Sequence, residues 1–148
     1  MSAMMLYPIP PIPQQPDKVA FQIAETGESV TFDQLERRSN QAAHLLRASG
    51  VQSGDHIVLL AENCRQFLEI CFAADRAGVY YTAISTHATA TDAAYITADC
   101  GAKLVIVSEA KSAIAAALRE QLSSIEHWFM LGQPIAGYQS WDAATSPH

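Results

Sequence analysis

The sequence predicts an α/β fold, a mostly parallel sheet with helices on both faces. The chain has 148 residues, of which 49% are hydrophobic and 16% charged, which suits one globular body with its own core. Helix and strand patterns alternate along the chain, and the strands are continuous apolar runs such as Ile57–Leu60. Alternation of this kind favours right-handed crossovers and a parallel sheet.

Residues 1–16 are predicted to form a proline-rich N-terminal arm, with prolines at 8, 10, 11, 13 and 16. Proline removes backbone donors and favours the extended polyproline II conformation. The simpler interpretation is an arm that lies on the body of the protein. The alternative is a recognition ligand of the PxxP type, since Pro10 and Pro13 have that spacing.

The α/β subdomain is predicted to span residues 17–131 and to open with a hairpin. Val19–Ala24 and Ser29–Thr31 flank a short turn in which Gly27 supplies a positive φ. A helical stripe then predicts a helix from Phe32 to Ser49, with Gly50 at its end.

The apolar run Ile57–Leu60 predicts a strand buried on both faces. Asn63 is placed to cap the next helix, Cys64–Ala77, which has so few polar residues that we expect it to be internal. Gly78 ends that helix.

The remaining elements follow the same alternation. They are a strand at Val79–Ile84, a helix at Thr91–Asp99, a strand at Leu104–Val107, an alanine-rich helix at Ala110–Leu122 and a strand at Trp128–Leu131. Residues 132–148 have no sustained periodicity and are predicted to be a connecting segment cut short.

Composition excludes several function classes. Fifteen acidic and nine basic residues give a formal charge of −6, a field that repels nucleic acids and anionic lipids. The apolar stretches in the predicted helices, such as Ile70–Ala74, are far shorter than the ~18 residues of a membrane span. Cys64, Cys71 and Cys100 lack metal-site spacing, so we expect buried reduced thiols in a cytoplasmic protein.

Ligands of open parallel sheets bind beyond the carboxyl ends of the strands. The segments there are Ala61–Asn63, Ser85–His87 and Ser108–Glu109, and none is a familiar catalytic motif. The chain contains no G-x-G-x-x-G, no phosphate loop with a following lysine and no G-x-S-x-G. A receiver domain needs clustered acidic residues, and here Glu62 stands alone. We therefore predict no catalytic residue and no metal site.

Ordered segments along most of the chain resemble the opening of the adenylate-forming acyl-CoA ligases, relatives of luciferases and peptide-synthetase adenylation domains. The pairing of Tyr80-Tyr81-Thr82 with Ala94-Tyr95-Ile96 and Asp99-Cys100-Gly101-Ala102 is especially similar to the fatty-acid branch. The segments that carry the resemblance are Pro16–Ala20, Val30–Leu35, Asn40–Leu46, Gly50–Leu60, Asn63, Ala77–Thr82 and Asp99–Lys103.

The resemblance implies the N-terminal subdomain of a ligase that uses ATP to convert a fatty acid to an acyl-adenylate and then forms a thioester with coenzyme A. It implies ATP, Mg²⁺ and coenzyme A for a longer parent protein and no cofactor for this chain. The family's phosphate loop, adenine-binding motif, hinge acid and catalytic lysine come later in the family's sequences, so the chain is expected to be inert alone.

His87 is the single candidate cofactor-binding residue. It occupies the place where related ligases often carry an arginine near the coenzyme A nucleotide, and an imidazole can donate to a phosphate. The alternative is a loop histidine without a ligand. Ala83, Ser85 and His87 depart from the Pro, Asn and Arg that the fatty-acid branch usually has after Tyr-Tyr-Thr.

Two functions remain open: the structural N-terminal part of an AMP-forming fatty-acid–CoA ligase, and a stand-alone binding or interaction module derived from that subdomain. In the first, the missing ligase subdomains are partners. They would cover apolar surface on Cys64–Ala77 and on the alanine-rich helix, where Ile114, Leu118 and Leu122 share a stripe. Such surface predicts self-association of the chain alone.

Overall fold

The computed structural model describes residues 15–148. The proline-rich arm predicted for residues 1–16 therefore lies outside the described residues, apart from Gln15 and Pro16. The elements are β1 (Val19–Gln22), β2 (Ser29–Thr31), α1 (Phe32–Ala48), β3 (His56–Leu60), α2 (Arg65–Ala77), β4 (Tyr80–Ala83), α3 (Ala90–Asp99), β5 (Ala102–Ser108), a 3₁₀ turn (Glu109–Lys111), α4 (Ser112–Gln121), β6 (His127–Leu131), β7 (Gln139–Ser140) and α5 (Trp141–Thr145).

The main sheet has five strands in the order β4-β3-β5-β6-β7, and every neighbouring pair is parallel. The predicted hairpin forms a separate antiparallel pair, β1 with β2. Strand order reverses at β3, because the chain passes from β3 to β4 on one side and then to β5 on the other. The α/β fold with a mostly parallel sheet is confirmed.

Alternation along the central strands divides the core into two layers. Ile57, Leu59, Leu104 and Ile106 point to one face, where they pack with apolar residues of α1, α2 and α5. Val58, Leu60, Val105 and Val107 point to the other, where they pack with α3 and α4. Because both faces are covered there, residues 57–60 of β3 and 104–107 of β5 are apolar at every position, as the sequence predicts.

Local sequence signals explain where α1 begins and where α2 ends. Thr31 Oγ1 accepts from the amide of Gln34, and the Gln34 side chain accepts in return from the amide of Thr31, a reciprocal cap at the start of α1. Gly78 ends α2 at a φ of 70°, and a Cβ there would lie 2.6 Å from Ser53 Oγ. Both the left-handed backbone and the close approach require glycine.

Two predicted elements differ in detail. Cys64 rather than Asn63 is the residue that precedes α2, and its side chain makes no capping bond. Asn63 instead donates to Glu25 Oε1 at 3.0 Å, a contact 38 residues apart in sequence that no local pattern predicts. β4 is shorter than Val79–Ile84 and lies at the sheet edge, with Tyr80 62% exposed.

Regular structure continues past Leu131, where the sequence predicts none. Residues 139–140 add a fifth parallel strand, and α5 buries Trp141 to 2% exposure against Phe129. Two-residue strands and five-residue helices are too short to show a period. Tertiary packing, and not local pattern, therefore specifies this part of the fold.

The apolar stripe predicted on the alanine-rich helix packs against its own sheet. Leu118 is fully buried, and Ile114 and Leu122 lie against the second layer of the core. Among the described residues, the exposed large apolar side chains are Val19, Leu68, Tyr80, Tyr81 and Tyr95, and of these only Leu68 lies on α2 or α4. The stripe expected to be exposed on α4 is therefore covered by the chain's own sheet, whereas α2 keeps one exposed large apolar side chain among the described residues, Leu68.

Candidate functional site

A cleft of about 740 Å³ opens at the carboxyl ends of β3 and β4. This edge adjoins the point where strand order reverses, the position at which open α/β sheets bind ligands. Its volume is that of a small-molecule site. The lining residues are Glu25, Ala61, Glu62, Asn63, Phe67, Ala83, Ile84, Ser85 and Thr86.

Glu62 follows β3 and is held by the segment that follows β5. Ser108 Oγ donates to Glu62 Oε2 at 2.5 Å, and Lys111 Nζ lies 3.5 Å from Oε1. Partial burial alone would raise the pKa of Glu62. The hydrogen bond from Ser108 and the charge of Lys111 outweigh that effect and hold the pKa below its usual range. The side chain is therefore a carboxylate at neutral pH.

The hairpin closes one side of the cleft. Asn63 Nδ2 donates to Glu25 Oε1, and this hydrogen bond lowers the pKa of Glu25. A second groove of about 430 Å³ is lined by residues of the hairpin and α2 and shares Glu25, Asn63 and Phe67 with the first. The hydrogen-bonded pair of Glu25 and Asn63 thus lines both depressions.

The cleft combines an apolar floor with an acidic rim. Phe67 and Ile84 supply apolar surface, whereas Glu25 and Glu62 supply negative charge, and no lysine, arginine or histidine is among the described residues that line it. Carboxylates repel a phosphate group, and Lys111 offsets only the charge of Glu62. The described part of the cleft therefore does not fit the phosphates of a nucleotide, and it holds no nucleophile paired with a base.

His87 is exposed and lies just outside the cleft. Its backbone amide donates to Ser85 Oγ at 3.2 Å, and it precedes Thr89, which caps α3. His87 therefore lies at the carboxyl edge of the sheet, two residues from Ser85, but it is not among the residues that line the cleft. The expectation that ligands bind beyond the carboxyl ends of parallel strands pointed to the segments that contain Glu62, Ser85 and Ser108. Nothing in the sequence indicated that Glu25 and Lys111 would lie at this site.

A second charged cluster lies away from the cleft, between α1, α2 and α5. The Glu69 carboxylate is almost fully buried and is contacted by Arg65 at 3.0 Å and by Arg38 at 3.3 Å. Arg65 also reaches Asp142 at 3.4 Å. The acidic and basic groups neutralise one another, so the cluster joins three helices and offers no unpaired charge to a ligand.

The cysteines are free, with Cys71 buried and the other two partly buried. Burial raises the pKa of Cys64 and of Cys71, so neither is an activated thiolate. In residues 15–148, no three His, Cys, Asp or Glu side chains are grouped to hold a metal ion. No helix in this part of the chain has the length and apolarity to cross a membrane.

Comparison with protein families finds one match that spans most of the chain. The model of the AMP-binding enzyme family matches residues 12–140. Two curated relatives are a 2-succinylbenzoate–CoA ligase of Oceanobacillus iheyensis, 34% identical over 64% of this chain, and a fatty acid–acyl-carrier-protein ligase of Streptomyces coeruleorubidus, 30% identical over 56% of it. The matched segments cover only 19% and 16% of those relatives.

Solved structures extend the similarity to three dimensions. An anthranilate–CoA ligase in complex with anthranoyl-AMP superimposes with a TM-score of 0.84 at 26% identity over 92% of this chain. A benzoate–CoA ligase from Burkholderia xenovorans gives a TM-score of 0.78 at 26% identity over 88% of it. In each case the match covers about a quarter of the larger protein, 26% and 25% respectively.

Proposed function

Because the chain belongs to the AMP-binding enzyme family, we propose that it is the N-terminal part of an adenylate-forming ligase that joins a carboxylic acid to coenzyme A. In the proposed reaction, ATP converts the acid to an acyl-adenylate with release of pyrophosphate, and the thiol of coenzyme A then displaces AMP. The family match from residue 12 to 140, together with the fold shared with acid–CoA ligases, supports the proposal. Catalysis belongs to a longer protein, since the chain spans under a fifth of these curated relatives.

The proposed acid is a fatty acid. Support comes from the similarity of Tyr80-Tyr81-Thr82 and Asp99-Cys100-Gly101-Ala102 to the fatty-acid branch, and from fatty-acid ligases among the relatives, including one of Mycobacterium tuberculosis that is 29% identical over 65% of this chain. Other relatives have aromatic acids in their names, such as succinylbenzoate and anthranilate. Acid preference is therefore the first property to measure.

The described residues contribute a scaffold to this reaction. Their cleft has an acidic rim that does not fit ATP phosphates or coenzyme A phosphates, so we expect residues outside the described chain to hold ATP and Mg²⁺. His87 is exposed at the same edge of the sheet, and we propose that it lies near the coenzyme A nucleotide. The ligase is proposed to act in the cytoplasm, where ATP and coenzyme A are available.

Acid-dependent exchange of pyrophosphate into ATP tests the function. We expect the complete reading frame that encodes this chain to catalyse exchange with octanoate or palmitate in preference to benzoate or 2-succinylbenzoate. The 148-residue chain alone is expected to show no exchange above a no-protein control, because adenylation depends on positioned donors and a metal that its cleft does not supply.

The alternative is a stand-alone binding or interaction module with the ligase fold. The absence of a catalytic pair in the described cleft is the observation that favours it. A reading frame that ends at His148 and supports no exchange with any acid would favour this alternative. A longer reading frame with acid-dependent exchange would exclude it.

A further inference from the structure

Arg65, the first residue of α2, lies where three elements of the fold meet. Among residues 15–148, its guanidinium contacts carboxylates from the hairpin, from α2 itself and from α5. Its Nε lies 3.4 Å from Glu28 Oε1, its Nη1 lies 3.0 Å from Glu69 Oε2, and its Nη2 lies 3.4 Å from Asp142 Oδ1. Each nitrogen thus faces a different carboxylate, which the planar fork of a guanidinium permits and the single ammonium of a lysine does not.

The contact with Glu28 holds the turn of the hairpin, residues 23–28, against the start of α2. A second contact does the same, since Asn63 Nδ2 donates to Glu25 Oε1 at 3.0 Å. Asn63 and Arg65 are two residues apart, so both anchors of the turn lie at one point of the chain. Because Glu25 lines the cleft, the position of this turn sets the hairpin wall of the cleft.

Arg65 is ordered in turn by the docking of α5. This helix has five residues, too few to persist without tertiary contacts, and Trp141 seats it in the core at 2% exposure. Docking brings Asp142 to Arg65 and to Gln66, whose Nε2 lies 3.5 Å from both carboxylate oxygens. A side chain that one partner already orders loses less conformational entropy when it binds another. The contact with Asp142 therefore favours the contact with Glu28.

We propose that Arg65 is a positioning residue that couples the docking of α5 to the hairpin wall of the cleft. When α5 is docked, Asp142 orders the guanidinium, which then holds Glu28 and with it the turn that carries Glu25. When α5 is displaced, Arg65 loses an ordering contact and holds the turn less tightly. The proposal concerns the geometry of the cleft, so it does not depend on the proposed ligase activity.

Amide hydrogen exchange in the hairpin turn measures this coupling without a ligand. The amide of Ile23 donates to Glu28 O and that of Gly27 donates to Ile23 O, each at 2.8 Å, so both amides exchange when the turn opens. We expect Asp142→Asn to accelerate the exchange of these two amides about two- to fivefold, the range that corresponds to one partly exposed ion pair.

Two substitutions of Arg65 show whether the effect passes through this side chain. In an Arg65→Gln background, Asp142→Asn should cause no further acceleration in the turn. Arg65→Lys keeps the charge but cannot face three carboxylates at once, so the coupling should be lost there as well. Asp75→Asn, at an exposed position of α2, removes the same charge elsewhere on the helix and should leave the turn unchanged. Should Arg65→Gln unfold, Arg65→Lys serves as the background.

Three results would overturn the proposal: exchange in the turn that Asp142→Asn does not accelerate, the same acceleration in either Arg65 background, or an equal acceleration by Asp75→Asn. A purely structural contribution of Arg65 would lower the free energy of unfolding but leave the effect of Asp142→Asn on the turn equal in all backgrounds. The comparison between backgrounds therefore separates positioning from general stabilisation.

Discussion

The hydroxyl of Ser108 donates to the carboxylate of Glu62 at 2.5 Å and thereby joins the carboxyl ends of β3 and β5. Lys111, from the turn that follows β5, approaches the second oxygen of the same carboxylate at 3.5 Å. One acidic side chain thus holds together the two strands between which strand order reverses.

Removal of the hydroxyl should destabilise the fold at neutral pH. We expect Ser108→Ala to lower the free energy of unfolding by about 1–2 kcal/mol at pH 7, since the lost hydrogen bond is to a charged group that stays partly solvated. Urea unfolding measures the change. Ser124→Ala, at an exposed position, is the control and should alter the free energy of unfolding by under about 0.5 kcal/mol.

The effect of Ser108→Ala should disappear in acid. The folded pKa of Glu62 is below its ordinary value of 4.5, so its stabilising contribution is fully present above the unfolded pKa and is lost as pH falls through the folded pKa. The free-energy difference between the unsubstituted chain and Ser108→Ala should therefore shrink below pH 4.5. A difference that is constant from pH 7 to pH 3 would contradict the assigned bond.

The buried Glu69 should contribute to stability through its two arginines. Glu69→Gln leaves Arg38 and Arg65 without their shared carboxylate, although both guanidinium groups keep partial access to water. We expect a loss of about 1.5–3 kcal/mol in the free energy of unfolding, as for hydrogen bonds to charged groups. The matched control is Glu120→Gln on the exposed side of α4. Equal effects of the two substitutions would show that the cluster contributes no stability.

Trp141 tests whether α5 is an integral part of the fold. Its ring is 2% exposed and meets Phe129 edge to face, with centroids 5.6 Å apart. Trp141→Ala should cost about 3–5 kcal/mol, as expected for loss of a large buried aromatic. Tyr95→Ala, at a site 69% exposed, should cost little. A Trp141→Ala chain that unfolds at the same urea concentration as the unsubstituted one would show that α5 is dispensable.

Elements with a period or a terminal signal were predictable from the sequence. The apolar runs of β3 and β5, the cap formed by Thr31 and Gln34 and the glycine that ends α2 each follow from local chemistry. β7 and α5 were not, because their few residues carry no period and Trp141 is placed by a partner at Phe129.

Only part of the candidate site could be predicted from the sequence. A parallel sheet brings the carboxyl ends of its strands to one edge, which pointed to the segments that contain Glu62, Ser85 and Ser108. Glu25 could not be predicted, because it reaches the cleft through the contact of the hairpin with Asn63. The sequence also could not predict that Tyr80 is exposed, because an apolar strand has the same pattern at the centre and at the edge of a sheet.

His87 is the remaining site prediction, and its test needs a ligase that contains this chain. His87 is exposed at the carboxyl edge of the sheet and is not among the residues that line the acidic cleft. A protonated imidazole can donate to a phosphate, although without the paired donors of an arginine.

We expect His87→Ala to raise the KM for coenzyme A about 3–10-fold, which corresponds to the loss of roughly one hydrogen bond. Acid-dependent pyrophosphate exchange should be unchanged, because adenylate formation precedes the use of coenzyme A. His44→Ala, at an exposed position on α1, is the matched control. An unchanged KM for coenzyme A, or an equal loss in both half-reactions, would leave His87 as a loop residue without a ligand.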